Sequence, residues 1–112
     1  KMENMKDVLN EVNSSLKTIS KDYPDLMTAF SGFMGQVEKP GALDKKTKEL
    51  IAISLSIVQH CKWCIAFHVK GALDAGATKD EIMESCFVAA LMGGGPALMY
   101  TQLAVKSLED LS

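Results

Sequence analysis

Apolar residues recur at three- and four-residue steps along most of the chain. Met5, Val8, Leu9, Val12, Leu16 and Ile19 make one stripe, which predicts an amphipathic helix over about 3–20. Asp22-Tyr23-Pro24 ends it, because proline disfavours helical geometry in the residue before it. Pro24 suits the first turn of a second helix reaching about Gly35, with Leu26, Met27, Phe30, Phe33 and Met34 as its apolar face. Glu38-Lys39-Pro40-Gly41 reads as a turn. Asp44 is the expected N-cap of a third helix to about Gln59, whose Leu50, Ile51, Ile53, Leu55, Ile57 and Val58 make it apolar nearly all round and mark it as central.

A fourth helix is expected from near Cys61 to Gly76, a natural left-handed C-terminal residue. Thr78-Lys79-Asp80-Glu81 has the form of a capping box. It opens a fifth helix through Ile82, Met83, Cys86, Phe87, Ala90 and Leu91. Gly93-Gly94-Gly95-Pro96 is expected to break the chain before a sixth helix over about 96–108. No segment alternates with the period of a strand. The expected architecture is therefore a single all-α domain over residues 1–112, a bundle of about six helices.

Composition narrows the class. The chain has 112 residues, 47% apolar and 23% charged, with a net charge of -2 and both signs interspersed. That balance gives no support for a nucleic-acid or membrane-surface role. The longest nearly apolar run, Cys86 to Tyr100, is shorter than the roughly 20 residues a bilayer requires. The first eleven residues are polar and lack the apolar core of a signal peptide. Three cysteines, two of them in a C-x-x-C, fit redox or metal chemistry in the cytoplasm better than a secreted disulfide framework. A domain this small gains from burial between subunits.

The candidate chemistry sits at Cys61-Lys62-Trp63-Cys64 and His68. At 3.6 residues per turn, positions i, i+3 and i+7 share one helix face. Two thiols three residues apart at a helix start can close a disulfide with little rearrangement, and the free N–H groups there favour a thiolate, the nucleophilic form. His68, one turn beyond Cys64, can exchange a proton with its sulfur, and Lys62 adds positive charge. Glu49 lies on the preceding helix. On one straight helix it would be roughly 22 Å from Cys64, so it joins the site only if the chain turns near Gln59-His60-Cys61 and folds back.

Glu49, eleven residues, Cys61-x-x-Cys64, three residues, then His68 resembles the active-site pattern of alkylhydroperoxidase D-like proteins of the carboxymuconolactone decarboxylase family. Thr47-Lys48-Glu49-Leu50-Ile51-Ala52, Ile65-Ala66-Phe67-His68, the segment from Ala72 to Thr78, and Gly93-Gly94-Gly95-Pro96-Ala97 are similar too. The resemblance covers about 43–100; residues 1–40 carry little of it. It implies an all-α bundle assembled through dimers into trimers or hexamers. It implies a thiol-dependent peroxidase or disulfide reductase in which Cys64 attacks a peroxide, Cys61 resolves the product, and Glu49 with His68 relays the proton. It implies an external dithiol reductant, a lipoyl group or a thioredoxin-like protein, and neither a metal nor an organic cofactor. Well-known members place a histidine directly before the second cysteine; Trp63 stands there in this chain, and His60 is a possible substitute.

Other readings remain open at this stage. Cys61, Cys64, His68 and either Glu49 or His60 are zinc-ligand types, although three ligands on one short helical segment crowd a tetrahedron. The family name also points to a lactone decarboxylase, and a disulfide switch in a non-enzymatic oligomeric sensor uses the same residues. Cys86, on the apolar stripe of the fifth helix, reads as an inert packed thiol. Trp63 reads as helix packing or as a pocket wall.

Overall fold

The computed structural model describes residues 2–112; Lys1, in the polar stretch read above, lies outside the described residues. Five helices follow one another: α1 Met5–Asp22, α2 Pro24–Glu38, α3 Lys45–Val58, α4 Lys62–Asp74 and α5 Lys79–Leu111. No strand occurs among the described residues, so the all-α expectation holds.

The helix starts follow their local chemistry. Asn4 caps α1 by accepting the Lys6 N–H at 2.8 Å, and Asp44 caps α3 by accepting that of Thr47 at 2.7 Å. Pro24 opens α2. The Thr78–Glu81 capping box closes in both directions, at 3.1 and 2.9 Å. The α4 end is also as expected: Gly76 has φ 89, and the N–H groups of Gly76 and Ala77 reach back to Leu73 and Ala72 in a Schellman motif.

Three expectations are corrected. α2 continues past Gly35 to Glu38, because Lys48 Nζ on α3 binds the carbonyls of Val37 and Lys39, a cap supplied from outside the local sequence. The anticipated fifth and sixth helices are one bent element. The break is confined to Gly94, at φ 72 and ψ -158, and the helix resumes at once. Pro96 costs little there, since the first turn after a break has no intrahelical partner for its missing N–H. The apolar run from Cys86 to Tyr100 is thus part of a 33-residue helix. By length and composition that helix is apolar enough to cross a membrane, with a mean hydropathy of 1.4 over its most apolar window.

The core lies where α3, α4 and α5 meet, around Ile53, Ile57, Ile65, Val69, Ile82 and Cys86, all fully buried. α1 is pinned to this body by Met5 and Val8 against Ala66. Its first N–H, that of Met5, donates to Asp110 Oδ2 at 2.8 Å, and Lys106 pairs with the same carboxylate at 3.0 Å.

α2 has no buried residue and packs chiefly on α1. The radius of gyration, 14.2 Å, exceeds the about 13 Å usual for this length, as a projecting hairpin requires. α3 is central but not covered all round: Ile51, Leu55 and Val58 stay exposed, alongside Leu91 and Met92 on α5, which are 81% and 79% exposed.

Candidate active site

The turn that brings α4 back under α3 is made by His60. It stands at φ 55, the left-handed region that glycine usually fills. The His60 N–H returns to Ile57 and the Cys61 N–H to Ser56, at 3.1 Å each, a Schellman motif without glycine. The His60 ring lies on that of Tyr100 from α5, with centroids 4.3 Å apart and planes 8° from parallel.

Cys61 leaves this turn as the N-cap of α4. Its sulfur accepts the Cys64 N–H at 3.2 Å and is bonded to Cys64 Sγ in a disulfide. The pair therefore sits at the positive end of a helix, where a free thiolate gains from the unpaired N–H groups. In this state both sulfurs are committed to each other rather than offered as metal ligands.

Folding back brings Glu49 on α3 to His68 on α4. Glu49 Oε2 lies 3.2 Å from His68 Nδ1. Glu49 is 4% exposed, whereas the His68 side chain keeps 24% of its surface. With the Glu49 carboxylate as acceptor, this contact selects the His68 tautomer that carries its proton on Nδ1. The carboxylate fits because α4 has no side chain at Gly71. A Cβ there would lie 2.8 Å from Glu49 Cδ and closer still to Oε2.

Cys64, His68 and Glu49 line one cavity of about 370 Å³. Its other walls are largely apolar: Val12 and Leu16 from α1, Phe30, Phe33 and Met34 from α2, Trp63 and Phe67 from α4. Cys61 is not among its lining residues. All four residues singled out in the sequence thus meet at one place, and Cys64 is the sulfur that faces the cavity.

The flanking residues take other roles. Lys62 Nζ binds Glu3 at 2.6 Å, and that hydrogen bond holds its ammonium above the usual lysine range. Its charge is shared with a carboxylate instead of being free for the thiols. Trp63 Nε1 donates to Glu11 at 2.8 Å, so the indole ties α1 to α4 while walling the cavity. His60 stacks on Tyr100 and does not line the Cys64 cavity, so it does not replace the histidine missing at position 63. Cys86 is fully buried, and desolvation pushes its thiol up to about 11, which keeps it protonated and inert.

Sequence reasoning passed over Gly71, Glu11 and the α2 wall. Gly71 did carry a signal, since an interior helix glycine costs about 0.5–1 kcal/mol relative to alanine and marks a close approach when retained. Glu11 and Phe33 carried none, because only the packing of α1 and α2 brings them to the site.

Comparison with known proteins agrees with this geometry. Residues 24–107 match the family model described as the carboxymuconolactone decarboxylase family, which extends the likeness back through α2. A carboxymuconolactone decarboxylase family protein from Legionella pneumophila superposes with a TM-score of 0.94 at 39% identity, over 99% of both chains. "Uncharacterized protein 4 in cox locus" from Paracoccus denitrificans is 39% identical over 90% of this chain and 91% of its own. Two relatives with named activities are more distant. An alkyl hydroperoxide reductase from Mycobacteroides abscessus is 31% identical over 54% of this chain and 34% of its own length. A nitrosuccinic acid decarboxylase from Metarhizium robertsii is 32% identical over 65% of this chain and 53% of its own.

Proposed function

This chain belongs to the carboxymuconolactone decarboxylase family, and from that premise we propose that it is a thiol-dependent peroxidase or disulfide reductase of the alkylhydroperoxidase D-like type. One observation carries the reading: Cys64, bonded to Cys61, opens onto the same largely apolar cavity as the Glu49–His68 pair. A nucleophile, a resolving thiol and a proton-exchanging pair are together.

The cycle begins with the reduced pair. His68, oriented by Glu49, takes the Cys64 proton, and the helix terminus stabilises the thiolate. The thiolate attacks the terminal peroxide oxygen. The O–O bond breaks, the alkoxide leaves with the proton held by His68, and Cys64 becomes a sulfenic acid. The Cys61 thiol displaces water from it, which forms the disulfide. An external dithiol, a lipoyl group or a thioredoxin-like protein, then reduces the disulfide by exchange.

The decarboxylase named among the relatives needs a site for two carboxylates. The ammonium lining this cavity, that of Lys48, is occupied by the Val37 and Lys39 carbonyls, which favours the thiol reading. The exposed apolar residues of α2, α3 and α5 fit burial by further copies of the chain as a trimer or hexamer. A cytoplasmic location goes with a dithiol donor.

Peroxide consumption with several dithiol donors tests the proposal. Wild type should turn over, Cys64→Ser should not, and Cys61→Ser should complete one turnover and stall. Equal rates in wild type and Cys64→Ser would remove the mechanism.

A further inference from the structure

Glu49 lines two cavities. The first is shared with Cys64 and His68. The second, about 490 Å³, lies on another side of the carboxylate between α1, α3 and α4, and neither Cys64 nor His68 lines it. Asn13, Lys45, Lys70, Gly71 and Asp74 belong to the second cavity alone. Glu38 and Phe67 line both, so the charged groups facing the second cavity besides Glu49 are Glu38, Lys45, Lys70 and Asp74. Lys70 and Asp74 pair at 2.9 Å with well-exposed side chains, which places them at a solvent edge.

The carboxylate is buried but not fully enclosed. Oε2 is taken by His68, and Oε1 has no hydrogen-bond partner among the described residues. No fully enclosed side-chain oxygen or nitrogen among those residues lacks a partner, so Oε1 is not sealed in. The oxygen nearest Gly71 is Oε2, the one that takes His68; a Cβ at Gly71 would stand 3.5 Å from Oε1 and much nearer to Oε2. Gly71, which has no side chain, lies beside Oε2 and lines the second cavity together with Glu49.

We infer that Glu49 exchanges its proton with water through this second cavity, past Gly71, and not through the cavity that holds Cys64. The inference rests on the reading of Glu49 and His68 as the proton relay for Cys64. In the step, the Cys64 S–H bond breaks and the Glu49–His68 pair holds the proton. Water in the second cavity then takes a proton from Glu49, and the reverse transfer restores the pair. No electrons move. The arrangement separates two demands that conflict in one space. A proton path needs water, while an apolar substrate cavity works best without it.

The test measures solvent exchange of the His68 Nδ1 proton by nitrogen-15 NMR on the reduced full chain, with no peroxide present. Asn13→Phe, an exposed position on α1, plugs the second cavity and should slow exchange at least tenfold. Leu16→Trp fills the first cavity and should change it less than twofold. Unchanged exchange in Asn13→Phe, or slowing in Leu16→Trp instead, overturns the inference. Asn13→Leu, a smaller plug, should give an intermediate rate; if Asn13→Phe fails to fold, no slowing in Asn13→Leu overturns the inference as well. A wild type inactive toward peroxide but with slowed exchange in Asn13→Phe would sink the peroxidase reading and leave this one standing. An active wild type whose exchange ignores the plug would do the opposite.

Discussion

The imidazole of His60 lies flat on the ring of Tyr100, 4.3 Å between centroids, and holds the one non-glycine residue of the described chain at positive φ. That contact fixes the turn on which the site depends. Without the reversal at residues 59–61, Glu49 and His68 would lie far apart on one helix. The stack is worth about 0.5–1.5 kcal/mol, of the same order as the cost of left-handed geometry in a residue with a Cβ, about 1–2 kcal/mol.

The two terms can be separated. His60→Gly removes the strain and the stack together, so its stability should stay within about 1 kcal/mol of wild type. Tyr100→Leu removes the stack while leaving an apolar side chain against the core, and should cost about 1 kcal/mol or more, with His60 still strained. Urea unfolding of both variants measures this. A Tyr100→Leu protein as stable as wild type would show that the stack does not hold the turn.

The Glu49–His68 contact predicts a separation of rate from stability. Glu49→Gln keeps the shape that Gly71 accommodates but loses the carboxylate that fixes the imidazole proton on Nδ1. The rate of peroxide reduction should fall about 100-fold or more, the lower range for a lost acid–base group. Thermal unfolding should move little, because the amide keeps the volume and its oxygen can still accept from His68 Nδ1. A large loss of stability with unchanged rate would make Glu49 a structural residue. The pH dependence of Cys64 alkylation should also shift in Glu49→Gln, which a purely structural role would not produce.

How much of this was legible beforehand depends on where each signal sits. Asp44, Thr78, Glu81, Pro24 and Gly76 act within a turn of their own position, so their helix ends could be read directly from the chain. The His60 turn could not, because its support comes from Tyr100, forty residues away. The same holds for the end of α2, which Lys48 supplies. Cys61, Cys64 and His68 were legible from helical spacing, whereas Glu49 could join them only if the chain turned near residues 59–61, a turn that no glycine or proline marks. The cavity walls from α1 and α2 had no local mark, because amphipathic stripes do not say which partner they face.

The Asp110 carboxylate predicts acid sensitivity of the α1 docking. The hydrogen bond from the Met5 N–H, and then Lys106, hold it below the usual carboxylate range. A depressed native value means the contribution is fully present above the ordinary range of an unfolded aspartate, about 3.9, and is lost as pH falls through the lower native value. Asp110→Asn should therefore flatten the acid limb of the stability curve below about pH 4 and leave its shape near neutrality unchanged. Chemical unfolding across that range measures it. An unaltered acid limb would mean that the clasp between α1 and α5 does not contribute.

The three consecutive glycines of α5 are chemically identical and should not behave alike. Gly94 stands at φ 72 and ψ -158, a region essentially closed to residues with a Cβ. Gly94→Ala should cost about 1–3 kcal/mol, or straighten the helix and displace everything beyond it. Gly95 has a helical backbone and, its chain neighbours apart, open space around its α carbon. The gain of about 0.5–1 kcal/mol from a helical alanine is offset by the clash of its Cβ with Pro96, so Gly95→Ala should be near neutral. Gly93 fails for a different reason: its Cβ would stand 2.7 Å from that of Ala97 across the bend. A larger residue there forces the two arms apart even though its dihedral angles are ordinary. Measured together, the ranking should be Gly95→Ala most stable, with the other two well below it. Equal tolerance at positions 94 and 95 would mean that the bend is not fixed at Gly94, and that Tyr100, six residues beyond it, reaches His60 by another path.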